Sequence, residues 1–282
     1  MDIKNIGIIG AGTMGNGIAQ VCAISGFSVT MVDVNEQAVK RGVDTIGKNL
    51  ARVLAKQKIT QAEVDAAQSR IKTALSADAL KDADILIEAA TENLDLKRRI
   101  FADMDKIAKP GAILASNTSS ISLTTLAAKV SRPDAVIGMH FFNPVPVMQL
   151  VEVIRALQTA DATFEAVAAL AKKLGKTPVA VKNSPGFVVN RLLVPMINEA
   201  AFALYEGLAT AEDIDTSMKL GAAHPMGPLA LADLIGLDVC LSVMEVLHEG
   251  FKDSKYRPCP IWREMVDAGY LGRKSGRGFF RY

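Results

Sequence analysis

The sequence predicts an α/β protein: a mostly parallel sheet with helices between its strands, followed by an all-α C-terminal domain. Three observations predict it. Short apolar runs alternate with helical periodicity over the first two thirds of the chain. Several of those runs are continuously apolar, as parallel strands covered on both faces are. From about residue 188 the strand signals stop and only helical patterns follow. A chain of 282 residues holds about two domains at ~100–200 residues each.

Composition narrows the classes. Half of the residues are hydrophobic, 22% are charged and 5% are aromatic, which excludes disorder and fibrous repeats. Lys and Arg total 32 against 30 Asp and Glu, a net of +2, so no nucleic-acid or membrane-surface partner is expected. Cys22, Cys240 and Cys259 are odd in number and far apart, which argues against a disulfide framework and a zinc site. They read as free buried thiols in a reducing, cytoplasmic setting, and no metal is expected.

The elements follow in order. Between Asn5 and Val32 there is no charge, long enough to suggest a membrane span. Glycines 7, 10, 12, 15, 17 and 26 interrupt it, with Asn16 and Gln20 in the middle. A buried strand at 6–9, a turn and a buried helix explain it better. The only base ahead of it is Lys4 and no cleavage pattern follows, so a signal peptide is not expected. A second strand covers 29–33. A long helical insertion then runs from about 36 to 67, with Val39, Val43, Ile46, Leu50 and Val53 as its apolar stripe. Further strands are expected at 85–88, 112–116, 135–140 and 150–154. The turn-rich join Asn183-Ser184-Pro185-Gly186 divides a domain at 1–184 from one at 185–282. Beyond it lie an apolar helix at 188–206 interrupted by Pro195, a helix at 210–220 stopped by Gly221, another from near Pro228, and a glycine-rich irregular tail at 269–282.

Gly10-Ala11-Gly12-Thr13-Met14-Gly15 is a G-x-G-x-x-G between a strand and a helix, and Asp33 ends the next strand about 20 residues on. Gly10 permits the tight turn. Gly12 lets the backbone approach a pyrophosphate seated on the helix N-terminus. Gly15 allows close helix–strand packing. Asp33 would accept hydrogen bonds from a ribose and repel a 2′-phosphate, and Val34 and Asn35 offer no base to offset it. The context is that of a Rossmann-like domain binding NAD rather than NADP.

His140 ends the 135–140 strand, at the carboxyl edge where open α/β sheets bind ligands. Glu152 is an acid inside the apolar strand Leu150-Val151-Glu152-Val153, and a buried acid needs a partner. His140 is the natural one, and the pair would form an acid/base unit held in one tautomer. A structural histidine and an edge-strand acid fit the spacing equally well. His224, near a proline-rich turn, and His248, on a helix surface, read as structural. Ser116-Asn117-Thr118-Ser119-Ser120 also falls on the carboxyl edge, where its hydroxyls bind substrate, cofactor or nothing. No G-x-S-x-G elbow supports a serine hydrolase. Arg41, Lys48, Arg52 and Lys56 share one face of the helical insertion, a solvated face on pattern alone.

Together the motifs GAGTMG, EAATENLDLK, ASNTSS, MHFFNPVPVMQLVEVI, PGFVVNRLL, EDIDTSMKLGAAHPMGP and GRKSGRGFF resemble the short-chain L-3-hydroxyacyl-CoA dehydrogenase family, from Ile6 to the C-terminus. The resemblance implies a Rossmann-like domain, a helical domain used for homodimerisation, and NAD-dependent interconversion of 3-hydroxyacyl-CoA and 3-oxoacyl-CoA, the four-carbon substrates above all. It implies that His140 is the catalytic histidine, Glu152 its carboxylate partner, Ser119 the active-site serine and Asn190 a substrate-contacting asparagine. Thr13, Met14, Glu92, Lys97, Asn143 and Lys274 match cofactor-contacting positions, and Arg52 and Lys56 match basic positions near the CoA handle. Two departures are small: Phe280 stands where the family often has Tyr, and Arg52 where Lys is common. Within the same fold the rival is a sugar-acid dehydrogenase of the lambda-crystallin kind. From another class, the rival is a non-catalytic NAD-binding protein.

Overall fold

The computed structural model describes residues 2–282. Its contacts divide the chain into two compact units, the first ending at Asn183 and the second spanning Ser184–Tyr282.

The first unit runs β1 (Asn5–Ile9), α1 (Thr13–Ile24), β2 (Ser28–Val32), α2 (Glu36–Ala55), α3 (Gln61–Ser69), β3 (Ile71–Ala74), β4 (Ile85–Glu88), α4 (Leu94–Ile107), β5 (Ile113–Ser116), α5 (Leu123–Ala127), β6 (Val136–Phe141), β7 (Leu150–Arg155), α6 (Asp161–Lys173) and β8 (Thr177–Lys182). The sheet order is β3-β2-β1-β4-β5-β6-β7-β8. The chain builds outward from β1 in one direction, then returns and builds from β4 in the other. The carboxyl ends of β1 and β4 therefore form the switch point where open α/β sheets bind ligands. Every pairing is parallel except β6 with β7. β4, β5 and β6 are buried along their whole length, as their continuous apolar runs require.

Two strands escape the apolar-run reading, and both are edges. β3 is Ile71-Lys72-Thr73-Ala74, with no fully buried residue. β8 contains Pro178 and buries only Val181 completely, and an edge is where a sheet tolerates proline. The helical insertion is two helices, not one. Asn35 caps α2 by accepting the amides of Gln37 and Ala38. The chain breaks at Gln57, whose φ is +54°, and restarts with a Thr60–Glu63 capping box on α3. Within the predicted stripe Val39, Ile46 and Leu50 are buried, whereas Val43 is exposed.

The second unit is helical: α7 (Val189–Tyr205), α8 (Ala211–Gly221), α9 (Pro228–Ile235), α10 (Leu237–Phe251) and α11 (Pro260–Asp267). Ile197, Leu229, Cys240, Met244, Leu247 and Trp262 centre its core. Two buried polar side chains organise what the helices leave over. Asn198 accepts the amide of Cys259 at 2.9 Å and Trp262 Nε1 at 2.8 Å, and donates to the Arg257 carbonyl at 3.0 Å. Asp233 accepts the amides of Phe279 and Phe280, both at 2.9 Å, and the Tyr282 hydroxyl at 3.1 Å. A Cβ on Gly278 would lie 1.9 Å from Asp233 Oδ1, so the irregular tail is held closely. All three cysteines are buried free thiols, and burial pushes Cys22 and Cys240 up to about 12. Among the described residues no helix is long and apolar enough to cross a membrane, and no metal-binding cluster is present.

Candidate active site

The glycine turn lies where β1 meets α1. Gly10 has φ of +104°, and a Cβ there would come within 2.7 Å of the Ala89 carbonyl oxygen. A Cβ on Gly15 would stand 1.8 Å from the Gly10 oxygen. Gly12 differs: its missing Cβ points into open space. It is the N-cap of α1 and makes no side-chain capping bond, and no acid occupies the first turn. Thr13 and Met14 open the helix. An open N-terminus with no acid in its own first turn suits a pyrophosphate. Asp33 supports the same turn. Its Oδ2 accepts the Ala11 amide at 2.9 Å and its Oδ1 the Asn35 amide at 3.1 Å. The residues present thus fit a dinucleotide.

The second group sits on the far half of the sheet. His140 and Glu152 are directly paired in the antiparallel β6–β7 register, with His140 Nδ1 2.8 Å from Glu152 Oε2. The side chains are 5% and 1% exposed. The bond is charge-assisted when the ring is protonated, and a low-dielectric surround strengthens it. The Phe142 ring lies 4.5 Å from the imidazole, centroid to centroid. Next to this pair the strands close tightly: a Cβ on Gly138 would lie 2.8 Å from that of Ile154.

Two anchors hold the segments around His140. Asn117 Oδ1 accepts the Phe141 amide at 2.9 Å, tying the loop after β5 to the end of β6. Lys176 Nζ donates to the carbonyls of Val145 and Met148 at 2.6 and 2.8 Å, pinning the loop between β6 and β7. Lys176 is buried, and that burial lowers its pKa from the usual lysine value. The same loop leans on α1, since a Cβ on Gly17 would be 2.9 Å from Val145 Cβ.

A charge cluster stands at the carboxyl ends of β4 and β5, buried at Lys97, Glu88 and Ser116 and exposed at Glu92. Lys97 Nζ donates to Glu88 Oε2 and lies 3.4 Å from both Glu92 Oε2 and Ser116 Oγ. Ser116 Oγ donates to Glu88 at 2.8 Å. Glu92 accepts the Ser119 amide at 2.5 Å and the Thr118 hydroxyl at 2.9–3.0 Å.

The structure therefore gathers Ser119, Glu92 and Lys97 into one network, and His140 with Glu152 into one pair. Asn143 is exposed in the β6–β7 loop. Arg52 lies exposed in the last turn of α2, and Lys56 is its C-cap rather than a mid-helix residue. Asn190, in the first turn of α7, and Lys274, which pairs with Asp238, belong to the second unit. Sequence reading passed over Glu88, Asn117 and Lys176. Glu88 had a usable signal, an acid closing an apolar strand, the same logic that singled out Glu152.

A family model described as "3-hydroxyacyl-CoA dehydrogenase, NAD binding domain" matches residues 5–184, and one described as "3-hydroxyacyl-CoA dehydrogenase, C-terminal domain" matches residues 186–282. The chain belongs to the 3-hydroxyacyl-CoA dehydrogenase family. It is an NAD-dependent oxidoreductase of that family. A 3-hydroxybutyryl-CoA dehydrogenase of Bradyrhizobium diazoefficiens is 55% identical over 280 residues, covering 99% of this chain and 96% of that protein. A probable 3-hydroxybutyryl-CoA dehydrogenase of Bacillus subtilis is 56% identical, covering 100% of this chain and 98% of its own length. The crystal structure of (S)-3-hydroxybutyryl-CoA dehydrogenase PaaH1 from Ralstonia eutropha superposes with a TM-score of 0.97 at 61% identity, covering 100% of this chain and 99% of that one.

Proposed function

We propose that the chain interconverts 3-hydroxybutyryl-CoA and acetoacetyl-CoA with NAD, using His140 and Glu152 as its acid/base pair. The observation that carries the chemistry is the buried 2.8 Å contact between His140 Nδ1 and Glu152. The substrate follows from the relatives' names and from the motifs that the chain has in common with their family. When bound, NAD supplies the two-electron chemistry, taking hydrogen from C3 of the substrate or returning it.

The chain's own residues handle the proton. With Nδ1 engaged by Glu152, proton exchange with the substrate falls to Nε2 of His140. In oxidation Nε2 takes the proton of the 3-hydroxyl, and the Glu152 charge stabilises the imidazolium that forms. In reduction the imidazolium gives the proton back, so the reductive direction gains from lower pH. Ser119 is assigned a hydrogen bond to the reacting oxygen, and Asn190 a substrate contact on its motif Val188-Val189-Asn190-Arg191. Gly10, Gly12, Thr13, Met14, Gly15 and Asp33 hold the dinucleotide, with Glu92, Lys97, Asn143 and Lys274 assigned to it by motif. The test is turnover of acetoacetyl-CoA with NADH beside a panel of sugar acids with NAD. Oxidation of a sugar acid without reduction of acetoacetyl-CoA would overturn the reading.

The functional unit is proposed to be a homodimer joined through the helical unit. Leu192, Leu208 and Leu220 of that unit are 69%, 78% and 83% exposed, apolar side chains that a second copy would cover. Light scattering at micromolar concentration distinguishes the dimer from a monomer, and a monomer would overturn this part.

A further inference from the structure

A buried ion pair is a weak source of stability, because desolvation consumes much of its Coulomb gain. The Lys97–Glu88 pair is almost completely buried, and what it touches suggests another use. Glu88 Oε1 accepts the amides of Ala90 and Thr91 at 2.9 and 3.4 Å, while Oε2 takes Lys97 and Ser116. Ser116 Oγ in turn accepts the Thr118 amide at 3.1 Å. On the other side of the lysine, Glu92 holds the Thr118 hydroxyl and the Ser119 amide. Thr118 Oγ1 itself accepts the amides of Ser120 and Ile121 at 3.3 and 2.9 Å. One buried ammonium thus stands between two carboxylates. One carboxylate belongs to a strand end, and the other grips the loop that carries Ser119. Asn117 completes the frame by fixing the same loop to Phe141, the residue after His140.

We infer that Glu88 is a positioning residue for Ser119, acting through Lys97 and Glu92. The inference rests on the role proposed for Ser119. The logic is a competition for one charge. While Glu88 neutralises Lys97, Glu92 stays on the Ser119 amide, 3.4 Å from the ammonium. With Glu88 neutral, the buried ammonium keeps Glu92 as its nearest carboxylate. Glu92 cannot close on Lys97 and still hold both Thr118 and Ser119 in place. The serine then drifts relative to the His140 strand, and small misplacements of a positioning group are costly in rate.

The experiment is a double-mutant cycle on kcat for acetoacetyl-CoA reduction. Glu88→Gln is made in the natural sequence and in Ser119→Ala, with the NADH Kd and the near-UV circular dichroism measured on every variant. The expected result is a loss of roughly tenfold to a hundredfold in the natural sequence. In Ser119→Ala the loss is less than about twofold, with NADH held well above the Kd measured for each variant so that a change in binding through Glu92 or Lys97 does not enter kcat. Equal losses in both backgrounds would overturn the inference. Full activity in Ser119→Ala is a different failure, that of the serine assignment itself. If Glu88→Gln does not fold, Glu88→Asp carries the same cycle: it keeps the charge but draws it back from Lys97. A loss that disappears in Ser119→Ala is expected, and additivity with Ser119→Ala would overturn the inference in the same way.

Discussion

His140 lies directly opposite Glu152 across the antiparallel junction of β6 and β7. The pairing is fixed by backbone register, not by a flexible side-chain reach. A slip of one residue would send the two side chains to different faces of the sheet. The geometry of the proposed acid/base pair is thus set by the sheet itself.

His140→Ala is expected to lower kcat by about 10²–10⁴-fold with the protein still folded. Glu152→Gln should be severe as well, because the ring loses its orienting charge. The double variant should cost much less than the product of the two losses. Multiplicative losses, measured by steady-state kinetics with circular dichroism as the folding control, would mean that the residues act independently.

Asp33 predicts a kcat/KM for NADH well above that for NADPH, since a 2′-phosphate would meet a carboxylate with no base beside it. Asp33→Ala should narrow the gap. It should also raise the KM for NADH, because the Ala11 amide loses its acceptor. A natural preference for NADPH would remove the ribose assignment.

Arg52 and Lys56 are expected to meet the phosphates of the CoA handle. Both stand at the C-terminal end of α2, where the helix dipole favours cations but gives an anion no help. The side chains alone must bind it. Contacts far from the reacting carbon act on ground and transition states alike. Arg52→Ala with Lys56→Ala should therefore raise the KM for acetoacetyl-CoA a few-fold and leave kcat unchanged. The natural enzyme's KM should rise with salt, and the variant's more gently. An unchanged KM at low salt would return these residues to a solvated face.

Two anchors set an acid limit on the first unit. Burial opposes ionisation of Asp84, but the Lys109 ammonium and the amides of Asn5 and Lys4 outweigh it and hold the carboxyl below its usual range. Asp105 is similar: burial is outweighed by Ser131 and Arg132. A carboxyl whose pKa falls on folding stabilises the folded state above the unfolded value of about 3.9, and that contribution is lost as pH drops through the lowered folded value. Thermal melts should show the Asp84→Asn, Asp105→Asn variant less stable at pH 7, with the two curves converging below about pH 4. Parallel curves across that range would count against it.

What could be read in the sequence followed burial. β4, β5 and β6 are buried on both faces and appear as apolar runs. β3 and β8 are edges, so Ile71-Lys72-Thr73-Ala74 and Thr177-Pro178-Val179-Ala180 carry no such run. The glycine turn was legible because each glycine answers a steric demand at a fixed spacing. Glu152 was legible because an acid in an apolar strand is anomalous. Lys97 was reached only through its motif, and its burial was not legible: on an amphipathic helix with neighbouring charges, nothing local separates a solvated lysine from one folded inward against Glu88. Lys176 was hidden for the same reason, since its partners are carbonyls of a loop distant in sequence.

The outer strand β8 has a consequence for where this chain can be divided. It contributes no assigned residue, and six of its positions pair along the whole of β7. That pairing turns β7 from a margin into an interior strand and keeps Glu152 out of water. A fragment that stopped after β6 or β7 would still contain the glycine turn, Asp33 and His140, and by sequence would look like an intact nucleotide-binding half. Its carboxylate partner would be missing or would lie on an open, solvated edge. The smallest piece that preserves the buried His140–Glu152 pair extends through Lys182.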